Sequence, residues 1–108
     1  MHIEALEVYS TDINYAVIKP PGRRFPGAVI QGDSLGILCR NALRIVKHVE
    51  SGDTASDEFL GEIEELANAL IDRMLHYQSV LEHHGLDLPY GQHFSNSDLV
   101  ELLPPDDS

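Results

Sequence analysis

A chain of 108 residues with 43% hydrophobic content is enough for one domain that buries a modest core without disulfides or metals. Eighteen acids against seven bases leave a formal charge of −11, the wrong sign for nucleic acid or an anionic membrane, and suited to a basic protein partner or to plain solubility. The N-terminus lacks the basic start and apolar stretch of a signal peptide, and no apolar run reaches membrane-spanning length, so a cytoplasmic protein is expected.

Ile3–Tyr9 and Tyr15–Lys19 are short runs rich in β-branched and aromatic residues, and Ser10–Asn14 between them is able to turn, which predicts a β-hairpin. Pro20, Pro21, Gly22, Pro26 and Gly27 then exclude regular structure, and Ala28–Gln31 predicts a third short strand. Gly32-Asp33-Ser34 reads as a helix entry capped by Asp33 or Ser34, with the helix running to about Glu50. Its apolar positions Leu35, Leu38, Ala42, Ile45, Val46 and Val49 predict a buried stripe, with Arg40, Arg44 and Lys47 off it. Cys39, among Leu38, Ala42 and Leu43, reads as a buried structural thiol.

Ser51-Gly52-Asp53 ends that helix, and Thr54–Asp57 offers the cap of a second one that runs for about thirty residues to His83-His84 before Gly85. Leu60, Ile63, Ala67, Leu70, Met74, Tyr77 and Leu81 follow a 3-4-3-4-3-4 spacing and predict a buried seam, widened by Phe59, Leu66, Ile71 and Leu75. A face that broad predicts more than one neighbour: helix one and the sheet or, since a helix this long overhangs a small three-stranded sheet, a second copy in a homodimer through the long helix. Leu86–Gly91 reads as a packed connector and Ser95–Leu103 as a short amphipathic helix. The fold class is α+β: an antiparallel sheet of about three strands followed by a two-helix hairpin with one long helix. Residues 1–103 form the single domain, and 104–108 a disordered tail.

Three constellations are able to carry function. Arg23, Arg24 and Phe25 sit in a proline-stiffened loop, with Gln31 and Ser34 at the following helix start. Forked guanidinium donors and free helix amides suit an anionic ligand or acidic partner, although Asp33 opposes such an anion. Glu58, Glu62 and Glu65 share one face of the long helix and repel one another by a few tenths of a kcal/mol per pair, which suits docking of a cationic partner unless Arg40, Arg44 and Lys47 neutralise them. Asp72, His76 and His83 fall on one helical face but are too far apart along it to ligate one ion, so neither metal nor cofactor is expected.

Tyr15-Ala-Val-Ile18, Gly22-Arg-Arg-Phe-Pro-Gly27 and Gln31-Gly-Asp-Ser34 resemble the signature of a family of small, functionally uncharacterised bacterial proteins, over about the first half of the chain. In size and acidity the chain is similar to immunity proteins that neutralise toxins. The resemblance implies a compact bacterial cytoplasmic domain and carries over no catalytic residues. The function expected is a non-enzymatic protein-interaction domain, in its sharpest form an immunity-type inhibitor of a basic toxin. The other reading is a small anionic-ligand binder or small enzyme using the Arg23/Arg24 loop.

Overall fold

The computed structural model describes residues 1–12 and 15–104. Three strands, β1 (Glu7–Ser10), β2 (Val17–Lys19) and β3 (Gly27–Ala28), form an antiparallel sheet in the order β1-β2-β3, followed by α1 (Gly32–Glu50) and α2 (Asp57–His83). This is the expected α+β layout. The strands are shorter than the apolar runs suggest: Ile3 is 90% exposed and no element covers it, so β1 begins only at Glu7. Ile13 and Asn14 of the expected hairpin turn lie outside the described residues.

Pairing passes from Val8↔Ile18 to Ser10↔Val17, so Tyr9 is an extra residue in β1 and the ladder slips there. The slip lets Tyr9 pack against the core while Val17 opposite is buried. That core is small. Val17, Tyr77 and Leu81 form it, with Tyr9, Met74, Val80, Leu86, Leu88 and Tyr90 packed around them. Tyr77 brings its hydroxyl into this apolar setting and donates it to the Pro26 carbonyl at 2.6 Å, and burial pushes its phenol pKa up.

Both helices end as their glycines predict. At Gly85, with φ +67°, the amide of Gly85 bonds the Glu82 carbonyl and the amide of Leu86 bonds that of Leu81, so the chain turns back and sets Leu86 against the core. The end of α1 repeats the pattern at Gly52, and Asp53 continues from it into the next helix. The Asp53 carboxylate accepts from the Ser56 hydroxyl at 2.9 Å and pairs with His48 Nδ1 at 3.0 Å, while the Ser56 hydroxyl caps α2 by accepting from the Phe59 amide. One carboxylate thereby ties the last turn of α1 to the first turn of α2.

Between the helices, Leu38 and Phe59 are buried, and Asn41, 1% exposed, donates from Nδ2 to both the backbone carbonyl and the carboxylate of Glu62. Arg44 closes the same flank with a 2.9 Å ion pair to Glu62. These bonds fix the antiparallel register of the hairpin, because sliding either helix would strand a buried amide.

Several expectations about burial are corrected. On α1 only Leu38 of the anticipated stripe is buried; Leu35, Val46 and Val49 are exposed, and so is Cys39. On α2 the seam is fully buried only at Tyr77 and Leu81, and Leu70 is 45% exposed. The cause is length. A 27-residue helix spans about 40 Å, whereas strands of two to four residues cover about 14 Å at most, so the sheet packs on one end of α2 and does not reach the other.

The C-terminal segment is not the expected helix. Apart from a single 3₁₀ turn at Asn96–Asp98, residues 94–103 run extended along the back of α2. Polar side chains of α2 hold them there: Gln78 bonds both the amide and the carbonyl of Phe94, Asn68 does the same for Val100, and the Glu64 carboxylate accepts from the amides of Leu102 and Leu103.

Leu81→Ala should destabilise by about 2–5 kcal/mol, whereas Leu70→Ala should cost within about 1 kcal/mol; paired thermal denaturations check the contrast. At the interhelix junction, the Ser56 hydroxyl, and after it the His48 hydrogen bond, hold the Asp53 carboxyl below its ordinary pKa. A folded pKa below the unfolded one stabilises fully above the unfolded value, about 3.9, and that contribution is lost as pH falls through the folded value. Asp53→Asn should therefore lower stability near neutrality and make the acid limb of the stability–pH profile shallower, as read by denaturant midpoints measured down to acid pH.

Candidate functional site

The arginine loop is built as its prolines and glycines predict. Pro20–Arg23 form a turn closed by the Arg23 amide on the Pro20 carbonyl at 3.3 Å, with Pro21 and Gly22 at its corners and Gly22 at φ +80°, a conformation that favours glycine. The far end is held where Pro26 accepts from Tyr77. Between these anchors Arg23 and Arg24 are exposed, and the Arg24 guanidinium lies 5.1 Å from the centroid of the Phe25 ring.

Arg24 and Phe25 line an open cleft of about 420 Å3, together with Tyr9, Lys19, Pro26 and the Leu86–Leu88 connector. Two cations over apolar and aromatic walls suit an anionic molecule, but carboxylates already compete for the place. Lys19 pairs with Glu7 at 3.7 Å, Tyr9 donates to the same Glu7 at 2.6 Å, and Asp87 is in the wall. The Tyr9 bond, and then Lys19, keep the Glu7 carboxyl below its ordinary pKa. Gln31 and Ser34 are not part of this cleft. Gln31 is the N-cap of α1, without a side-chain cap bond, and the Ser34 amide donates to Asp33. Of the anticipated constellation, Arg24 and Phe25 line the cleft, and Arg23, Gln31 and Ser34 do not.

The acidic trio is also divided. Glu58 and Glu65 are exposed, but Glu62 is committed to Asn41 and Arg44 inside the hairpin, with its side chain only 14% exposed. Asp72, seven residues beyond Glu65, is exposed and completes a stripe with Glu58 and Glu65 at heptad spacing along one flank of α2. His76 faces the sheet, 3.3 Å from the Ser10 hydroxyl and 3.8 Å from Asp12, and His83 is exposed at the helix end.

The surface that sequence reasoning assigned to the interior is the most distinctive. Leu35, Cys39, Ala42, Val46 and Val49 recur at 4-3-4-3 spacing along α1, and all but the half-buried Ala42 are exposed, with Leu43, 61% exposed, beside them. Since Arg44 and Glu62 close one flank of the hairpin, helical geometry places this stripe on the opposite flank, alongside Ile63, Ala67 and Leu70 of α2. Arg40 and Lys47 border it, outside the ion pairs of the described residues. The sequence carried the signal in the heptad spacing of α1, but an apolar stripe reads the same whether it faces the chain's own core or another molecule.

Among the described residues no helix is long and apolar enough to cross a membrane. Comparison with curated proteins and with solved structures gives no significant match. A family model does match, over residues 1–90, which takes in the sheet, the arginine loop and both helices and stops before the extended segment on the back of α2. The chain belongs to the family of unknown function DUF6959.

Proposed function

We propose that this chain is a bacterial, cytoplasmic protein-interaction domain whose working surface is the α1/α2 hairpin. The observation that carries the reading is the continuous exposed aliphatic stripe of α1, since a contiguous apolar patch on a chain of this size costs solubility unless another macromolecule covers it. In its sharper form the partner is a basic protein, as for an immunity-type inhibitor of a basic toxin. Glu58, Glu65 and Asp72 support that form, being exposed and in line on the other flank of α2, where they would steer a cationic surface and set its register.

A second reading rests on the Tyr9/Lys19/Arg24/Phe25 cleft, which offers a small anionic molecule two cations and aromatic walls. It takes second place because Glu7 and Asp87 supply negative charge at the same spot. Arg24→Ala separates the two readings: it should abolish ligand-induced thermal stabilisation if the cleft is the site and leave partner binding unchanged if the hairpin is.

Affinity purification of the tagged chain from its native host, at low and at raised salt, tests the main reading. It should retain a basic protein in stoichiometric amount, which salt displaces and which the Glu58→Gln/Glu65→Gln/Asp72→Asn variant fails to hold. Recovery of no stoichiometric partner, or equal recovery with the triple variant, would count against it.

A further inference from the structure

The spacing of the α1 stripe specifies what can cover it. Positions repeating at 4-3-4-3 over a 19-residue helix, about 28 Å long, are matched along their length by another helix lying beside them. Ala42 is at the centre of the stripe, Leu35 and Val49 lie seven residues to either side, and the small residues Cys39 and Ala42 fall towards the middle, where two crossing helices approach most closely. On a twofold axis through that centre one patch meets an identical patch, the half that starts at Leu35 lying on the half that ends at Val49 of the other copy.

Charge points the same way. Two copies at −11 each repel one another over most of their surface, but between Leu35 and Val49 α1 carries no acidic residue. That is where two such chains can touch without bringing carboxylates together. We infer that the aliphatic stripe of α1 is the contact surface between two copies of this chain, paired antiparallel about a twofold axis near Ala42. The inference rests on the hairpin reading and deepens it: the second copy covers the aliphatic flank, and the Glu58/Glu65/Asp72 flank remains open to a different, basic partner. A stripe about 21 Å long from Leu35 to Val49 is at the small end of specific interfaces, so the dimer is reversible and its population rises with concentration.

Sedimentation velocity over a micromolar-to-submillimolar series tests this. The mass should rise from 12.0 kDa towards twice that value, and the midpoint concentration should fall as salt is added, because screening relieves the repulsion between copies. This is the opposite of the salt response of a basic partner. Val46→Lys replaces a residue already 48% exposed in the single chain, and should raise the midpoint about tenfold or more with an unchanged circular dichroism spectrum. Should that variant misfold, the unmodified chain decides, since its single cysteine makes a short bismaleimide report only Cys39–Cys39 pairs, whose yield should fall on dilution. A chain monomeric throughout the series, a dimer indifferent to Val46→Lys, or a dimer without the Cys39 cross-link would overturn the inference. A monomer that still captures a basic protein through the acidic flank would overturn the second copy alone and leave the hairpin reading standing.

Discussion

The Tyr77 hydroxyl bonded to the Pro26 carbonyl is the constraint on which the rest of the molecule depends. It joins residues 51 apart in sequence, inside an apolar cluster that Val17 and Leu81 complete, and it fixes both the arginine loop and the sheet to the C-terminal half of α2. The bond contributes about 1 kcal/mol as a hydrogen bond, but losing either partner would leave a buried polar group unsatisfied and cost more. Once the sheet is committed to that end of α2, α1 has only the other end to pack on. The two cannot share the long helix in any other way, because the strands are too short to reach further.

An asymmetry of surface follows from this division. One flank of the hairpin is closed by polar bonds through Glu62 to Asn41 and Arg44, which specify how the helices meet. Among the described residues the opposite flank has no such closure, and it carries aliphatic side chains into solvent. The back of α2 is occupied by residues 94–103, held by Asn68, Gln78 and Glu64, so the long helix is covered on that side by the chain itself. What remains open is an aliphatic stripe on α1 and an acidic stripe on α2, two surfaces of different chemistry on one rigid pair of helices. Interaction with two kinds of partner is the use such an arrangement allows.

The element order was legible in the sequence because it rests on local chemistry. Glycines at 22, 52 and 85 sit where positive φ is needed, Ser56 caps α2, and the prolines interrupt the chain where the loop occurs. Burial was legible only in part, because periodicity shows that a helix has an apolar face without showing what the face meets. Tyr77 and Leu81 lie on the seam that the spacing marks and are buried, yet Leu70 on the same seam is 45% exposed. The candidate sites fared similarly. Arg24 and Phe25 are presented together as the stiffened loop predicts, but Gln31 and Ser34 do not line the cleft beside them, and Glu62 is held by a register bond that only the packed hairpin reveals. The pairing of Asn68 and Gln78 with the C-terminal segment had no sequence signature, because side-chain amides on a helix back are ordinary surface residues until a strand-like segment lies against them.

The central claim is that the molecule is anchored around Tyr77 and Leu81 and completes the outer side of α1 only by association. Native-state amide exchange measured at low and at high protein concentration tests it most directly. Amides flanking Tyr77 and Leu81 should be the slowest to exchange and insensitive to concentration, while protection across Leu35–Val49 should rise as the chain is concentrated. Protection of α1 that equals that of the Leu81 region at the lowest concentration, and does not change with it, would contradict the account.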